Sequence, residues 1–312
     1  MFYSPIIQTL ISNPDHHLDV LRLDLIDKEV SGNKWFKLKY NLEAAMKLGD
    51  QQIITFGGAF SNHLAATAAA CKKFNLKSIG VVRGEEHLPL NSTLTKAKEN
   101  GMQLHFVSRK DYETKTELEF KQYLENLFGP HYLLPEGGNN TAGIAGCMEI
   151  LDPLWQYDYI FCGCGTAATY TGLVASAGGN SKIIGISVLR GKNSLAEQAN
   201  KNLKELFPQS DKRIYGNEIV QKKEILESGI CNSYAFKGYA RLEEELILFK
   251  QKFESEYKFE LDYVYTSKLF YAVFDLLHKK QLAKGSKSLI IHSGGLQGNE
   301  GFENRYHLMP NR

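Results

Sequence analysis

The sequence predicts an α/β protein of two lobes, each built on a mainly parallel open sheet covered by helices. Three observations carry that expectation. Strand-like runs alternate with helix-like runs over most of the 312 residues, which is the pattern of βαβ units. That length is too great for one small module and too short for three. The 27 glycines gather where strand-like runs end, and glycine there lets the main chain come close to a ligand.

The elements follow in order. Val20 to Leu25 alternates as a strand, and Lys37 to Leu48 is an amphipathic helix. Gln52 to Phe56 is a strand that ends in glycines, followed by an alanine-rich helix from Leu64 to Phe74. Ser78 to Val82 is a buried strand, Ser92 to Asn100 a helix stopped by Gly101, Gln103 to Val107 a strand, and Glu117 to Leu127 a helix stopped by Gly129. A second series begins with the strand Tyr157 to Cys162, the helix Ala168 to Ala177, the strand Lys182 to Val188 and the helix Ser194 to Phe207. Gln209 to Ser233 is polar and weakly periodic. Arg241 to Tyr257 reads as a charged surface helix, Thr266 to Gln281 as a long helix, and Ser288 to His292 as a final strand. The tight spacing between residues 50 and 107 suggests a lobe of its own: a smaller domain over 40–150, inserted in a larger one made of 1–39 and 151–312.

Composition narrows the function. Hydrophobic residues at 43% and charged residues at 23% exclude disorder. Lys and Arg number 37 against 35 Asp and Glu, and no basic run stands out, so nucleic acid is not an expected partner. The opening MFYSPIIQTL lacks a basic and then apolar leader pattern, and no later segment runs ~18 apolar residues without a charge. No membrane partner is expected, and the cytoplasm is the expected location. Five cysteines are odd in number and scattered apart from Cys162 and Cys164, so neither a disulfide framework nor a metal site is predicted.

Four loops where strands hand over to helices hold the chemistry, because that edge of an open α/β sheet carries ligands. In Ser31-Gly32-Asn33-Lys34 a lysine opens a helix, where backbone dipoles favour its neutral, nucleophilic form. Ser61 and Asn62, after Gly57-Gly58, stand at N-cap positions, free either to cap their own helix or to bind a ligand. Gly165-Thr166-Ala167-Ala168-Thr169 makes a cup of N–H groups and hydroxyls suited to phosphate. Gly163, Gly165 and Ala168 also match a dinucleotide fingerprint, but the acid expected ~20 residues later is missing, the first being Glu197. Tyr263-Val264-Tyr265-Thr266-Ser267-Lys268 and His292-Ser293-Gly294-Gly295 complete the set.

Together these loops resemble the 1-aminocyclopropane-1-carboxylate deaminase and D-cysteine desulfhydrase family, pyridoxal-phosphate enzymes of the tryptophan-synthase β-like fold (fold type II). The matching segments come in one order: Gly-Asn-Lys-x-x-Lys-Leu at 32–38, Ser-Asn-His at 61–63, Glu-Gly-Gly-Asn at 136–139, the phosphate loop at 165–169, Val-Tyr-Thr-x-Lys at 264–268 and His-x-Gly-Gly at 292–295. The resemblance implies that Lys34 holds pyridoxal 5'-phosphate as a Schiff base and moves protons. It implies that Asn62 meets the ring hydroxyl and Ser61 the substrate carboxylate. Gly165, Thr166, Ala167, Ala168 and Thr169 would hold the phosphate, and Tyr265, with Tyr239, would stand near the reacting carbon. Family members are commonly dimers, so a homodimer is the default.

The same resemblance bears on the substrate, a small amino acid. Ring-opening deaminases look like Ser-Asn-Gln in the second loop and carry Glu after the tyrosine; this chain has His63 and Thr266, as the desulfhydrase branch does. A hydroxyl at Thr266 facing the pyridine nitrogen would weaken the electron sink, which suits β-elimination of a good leaving group better than opening of a cyclopropane. The expectation is therefore D-cysteine desulfhydrase-like elimination, giving pyruvate, ammonia and sulfide. The alternatives are 1-aminocyclopropane-1-carboxylate deamination and, in other classes, a dinucleotide-binding oxidoreductase or a cofactor-binding protein without turnover.

Overall fold

The computed structural model describes residues 6–151, 156–177, 181–191, 194–209 and 227–308. Two open sheets carry the chain. The larger has the order β1-β2-β10-β7-β8-β9 and the smaller β5-β4-β3-β6. Every pairing is parallel except that of β1 (Ile7–Ser12) with β2 (His16–Arg22).

The smaller sheet takes β3 (Gln52–Gly58), β4 (Lys77–Arg83), β5 (Met102–Val107) and β6 (Tyr132–Leu134). One face, through Ile54, Ile79 and Val81, packs on Phe120 and Leu124 of α5 (Leu118–Phe128). The other meets α1 (Asn33–Leu48), α2 (Asn62–Lys73) and α3 (Ser92–Glu99) through Ile53, Ala66, Val82 and Leu94. The alanines of α2 are nearly all buried, and their small side chains let that helix lie close to the strands.

The larger sheet adds β7 (Tyr159–Cys164), β8 (Lys182–Ser187), β9 (Gly229–Cys231) and β10 (Ser286–His292). Successive residues serve opposite faces, as the pleat requires. Leu21 and Ile160 join a core with α7 (Ala168–Ser176) and α8 (Ser194–Leu206), whereas Val20 and Phe161 join one with α9 (Glu244–Tyr257) and α10 (Thr266–His278). Burial on both faces explains why these strands read as continuous apolar runs. Phe270, fully buried against the rings of Phe253, Phe259 and His292, is a keystone of that second core; truncating it to alanine would cost about 3–5 kcal/mol. Helix α1 ties the sheets together, since Phe36 packs with the larger and Leu38, Leu42 and Ala45 with the smaller.

Several elements differ from the sequence expectation. The strand expected over 20–25 runs from His16 to Arg22, and Leu23–Leu25 forms a 3-10 turn. The α1 helix begins at Asn33, four residues before the expected start at Lys37. β1, β6, the short helices α4 (Arg109–Glu113) and α6 (Thr141–Cys147), and α11 (Asn299–Tyr306) are additional to the elements expected from the sequence. Much of the weakly periodic stretch 209–233 lies outside the described residues, and β9 lies in its described part. Among the described residues, no helix is long and apolar enough to cross a membrane, and no His, Cys, Asp and Glu group could hold a metal ion.

Candidate active site

The carboxyl ends of β3 and β7, the loop after β10 and the start of α1 meet around one cleft. A close approach sets its geometry. Gly32 has φ +69°, and a Cβ there would lie 1.8 Å from the Ser293 carbonyl oxygen. Only glycine lets the two segments touch in this way, and the contact sets Lys34 in the first turn of α1 at the cleft wall.

The Lys34 amine donates to Asn33 Oδ1 at 3.0 Å. Burial, followed by repulsion from the Lys37 ammonium, pulls its pKa down to about 7. Near neutrality about half of such amines are free base, against roughly one in three thousand for an ordinary lysine. Desolvation, rather than the helix dipoles that the sequence suggests, is the first cause of this fall. Lys37, one turn along and 4% exposed, carried no role in the sequence reading. Its Nζ donates to the Gly137 carbonyl at 3.0 Å, and it too lines the cleft. The available signal was its i+3 spacing from Lys34, which puts both amines on one helix face.

At the start of α2, Ser61 Oγ accepts from the Leu64 N–H at 3.3 Å, so it caps its own helix. Asn62 Oδ1 is buried without a partner at the cleft wall. His63 is 3% exposed and its Nε2 lies 2.9 Å from Thr55 Oγ1. Thr55 gives its own proton to the Leu134 carbonyl at 2.9 Å, which assigns the imidazole proton to Nε2. Burial and then the charges of Lys34 and Lys37 hold His63 well below the usual histidine range, so it is neutral.

The 163–169 loop also depends on a missing side chain. A Cβ at Gly165 would meet the Tyr265 hydroxyl at 2.8 Å. Ala167, the left-handed N-cap of α7, supplies no side-chain cap, so the first N–H groups of that helix are open to a ligand. The Thr166 and Thr169 side chains stand beside them at the cleft. Thr169 Oγ1 accepts from Asn33 Nδ2 at 2.7 Å, which leaves its own proton to donate elsewhere. Ala168, fully buried, opens the helix.

Tyr265, the N-cap of α10, and Tyr239 meet edge to face with ring centroids 6.0 Å apart. Burial pushes the Tyr239 phenol up to about 12 and Tyr265 well above the usual tyrosine range. Both therefore keep their protons at physiological pH and act as donors. Thr266 is set back from them. Fully buried, it donates to Asp262 Oδ1 at 2.8 Å and accepts from the Asp262 N–H at 2.6 Å. It is not among the cleft-lining side chains of the described residues, and its hydroxyl proton faces Asp262. Asp262, 2% exposed, was absent from the sequence reading. It also accepts N–H bonds from Val264 and Tyr265, each at 2.9 Å, and from Thr266 at 2.7 Å. This carboxylate fixes the turn that carries Tyr265. At the mouth, Glu136 pairs with Lys115 at 3.4 Å, and the Arg83 guanidinium lies 5.7 Å from the centre of the Tyr112 ring.

Comparison with known proteins gives a consistent picture. A family model described as pyridoxal-phosphate dependent enzyme matches residues 21–294. A Thermotoga maritima protein named "Putative 1-aminocyclopropane-1-carboxylate deaminase" is 30% identical over 296 residues, covering 89% of this chain and 88% of that protein. A bifunctional D-cysteine desulfhydrase/1-aminocyclopropane-1-carboxylate deaminase of Arabidopsis thaliana is 28% identical over 299 residues, 89% of this chain and 72% of its own length. The solved structure of an ACC deaminase homologue superposes with a TM-score of 0.81 at 26% identity, covering 98% of this chain and 94% of the other.

Proposed function

This chain belongs to the pyridoxal-phosphate-dependent enzymes, in the 1-aminocyclopropane-1-carboxylate deaminase and D-cysteine desulfhydrase family, and from that membership we propose β-elimination from a small D-amino acid, with D-cysteine giving pyruvate, ammonia and sulfide. The observation that carries the proposal is the half-buried lysine amine with its pKa pulled down to about 7 in a cleft that also presents an open helix N-terminus.

The residues present fit the cofactor. An unpartnered buried amide oxygen at Asn62 calls for a polar group of a ligand. The uncapped start of α7 with Thr166, Thr169 and the Lys37 ammonium is the donor set a phosphate needs. When bound, pyridoxal phosphate supplies an aldehyde that bonds an amine and a conjugated ring that takes up the electron pair left at the substrate Cα.

The chain's own groups then have distinct tasks. Lys34, neutral in about half the molecules at pH 7, would be the nucleophile that bonds the cofactor aldehyde and the base placed to take the Cα proton. Ser61 and the first N–H groups of α2 bind the substrate carboxylate at a helix N-terminus, and Asn62, with its unpartnered amide oxygen, is left to the cofactor's ring hydroxyl. Tyr265 and Tyr239 keep their protons and donate a hydrogen bond, or the proton itself, to the group leaving Cβ. Arg83 at the mouth draws the anionic end of an amino acid inward. Neutral His63 offers an uncharged wall beside these groups. We also propose that 40–150 closes on the rest of the chain over the substrate, which would keep water from the carbanion.

Support for elimination over ring opening comes from Thr266. Its proton is engaged by Asp262, and that carboxylate is saturated by four donors, so neither group is free to stabilise a protonated ring nitrogen. Ring opening of 1-aminocyclopropane-1-carboxylate to 2-oxobutanoate and ammonia is the second reading, supported by the relatives that bear that activity in their names. The experiment offers D-cysteine, L-cysteine, D-serine and 1-aminocyclopropane-1-carboxylate to the cofactor-loaded protein and assays sulfide, keto acid and ammonia. Sulfide and pyruvate from D-cysteine are expected. Keto acid from the cyclopropane alone would replace the first reading with the second.

A further inference from the structure

In its first turn, three residues after Tyr265, helix α10 sends a lysine into the interior. Lys268 is 1% exposed. Its Nζ donates to the Gly238 carbonyl at 2.7 Å and the Ala235 carbonyl at 2.8 Å, and the Val188 carbonyl stands 3.5 Å away. An ammonium has three N–H donors, and here each faces a main-chain oxygen. Burying a cation costs free energy that an apolar side chain of the same size would not incur. Its value must therefore lie in what the carbonyls belong to.

Ala235 and Gly238 belong to the turn that presents Tyr239. In that turn Phe236 has φ 52°, Gly238 φ 97° and Ala240 φ 50°. Three left-handed residues in five, two of them with a Cβ, make a conformation that local preferences alone do not hold. The Tyr239 side chain nevertheless sits at a defined angle to Tyr265, with ring planes 77° apart. Lys268 and Tyr265 lie on the same first turn of α10, so the ammonium fastens the Tyr239 turn to the helix that carries the other phenol. Burial pulls the Lys268 pKa down to about 8 against the opposing pull of Asp262 and Glu243, as suits an amine held mainly by carbonyl dipoles.

We infer that Lys268 is a positioning residue: through the carbonyls of Ala235 and Gly238 it locks the Tyr239 turn against Tyr265, and so fixes the phenolic wall of the cleft without touching substrate or cofactor. The inference rests on the reading of the two tyrosines as part of the site.

The test compares wild type, Lys268→Met, Tyr239→Phe and the double variant. Amide hydrogen exchange, read first and without any substrate, is expected to speed at least tenfold across residues 234–240 in Lys268→Met, with α2 and β3 unchanged. In the cofactor-loaded protein, kcat for the best substrate falls about as far as in Tyr239→Phe, with KM changed less than threefold. Adding Lys268→Met to Tyr239→Phe then costs less than a further twofold, because both act through one phenol. If Lys268→Met does not fold, Lys268→Gln takes its place with the same readouts. Unchanged exchange over 234–240, or losses in kcat that multiply, would overturn the inference. If the loaded wild type turns over no candidate substrate, the functional reading falls, while the exchange comparison still decides the role of Lys268.

Discussion

Replacing Lys34 by methionine should stabilise the cofactor-free protein, and by an amount that depends on pH in a defined direction. The amine has a pKa of about 7 in the fold against 10.5 for an ordinary lysine. Between those values the unfolded chain binds more protons than the native one, so wild-type stability rises with pH across that window. It is lowest below about pH 7, where the native state must carry the buried charge, and level above about 10.5. The fall from 10.5 to about 7 corresponds to at most ~4.8 kcal/mol. Because the cleft admits solvent, screening reduces this to on the order of 2 kcal/mol. Methionine keeps the stem and removes the charge, so its advantage over wild type should be greatest at pH 6 and shrink steadily toward pH 10. Urea unfolding of both apoproteins at pH 6, 8 and 9.5 measures the difference. An advantage that is flat with pH, or that grows as pH rises, would refute the assignment of a depressed amine at this position.

Other outcomes follow from the same geometry. Asp262→Asn sets an amide N–H₂ against N–H groups that Asp262 now accepts and should cost about 3–6 kcal/mol in urea unfolding; a loss under 1 kcal/mol would count against its role in fixing the Tyr265 turn. Gly32→Ala should fail to hold the site, since its Cβ would lie 1.8 Å from the Ser293 carbonyl at a positive φ, with a loss of at least about 3 kcal/mol and no uptake of pyridoxal phosphate by absorbance. Thr169→Val leaves the buried Asn33 amide without its acceptor and should weaken cofactor binding about tenfold, roughly 1.4 kcal/mol, by equilibrium dialysis; equal affinity would remove Thr169 from the phosphate site. Nitrogen chemical shifts should find His63 neutral down to pH 6, because its pKa lies well below 6.5, whereas a midpoint above 6.5 would contradict the burial argument.

The parallel sheets were legible because strands buried on both faces leave continuous apolar runs such as Ser288 to His292 and Lys182 to Val188. Elements with weak local signals escaped. The edge strand β1 is mostly exposed or half-buried, and β6 has three residues, so neither shows a period long enough to recognise. The helix start at Asn33 was hidden because it rests on a contact between Gly32 and Ser293, 261 positions apart in the chain. The cleft loops were readable as glycines and hydroxyls at strand ends. Lys37, Asp262 and Lys268 gained their meaning only from partners distant in sequence or across a turn: the Gly137 carbonyl, the amides of 264–266 and the carbonyls of 235 and 238. A buried charge cannot be recognised from composition, since its burial is decided by the tertiary fold.

The account stands on the amine after Asn33 being the one that bonds the cofactor. Borohydride reduction of the cofactor-loaded protein, proteolysis and mass measurement of the peptides read this out directly. A single pyridoxyl-bearing peptide modified at Lys34 is the predicted result. Modification at Lys37 or Lys268 in its place, or no modified peptide from material that shows bound cofactor, would contradict it.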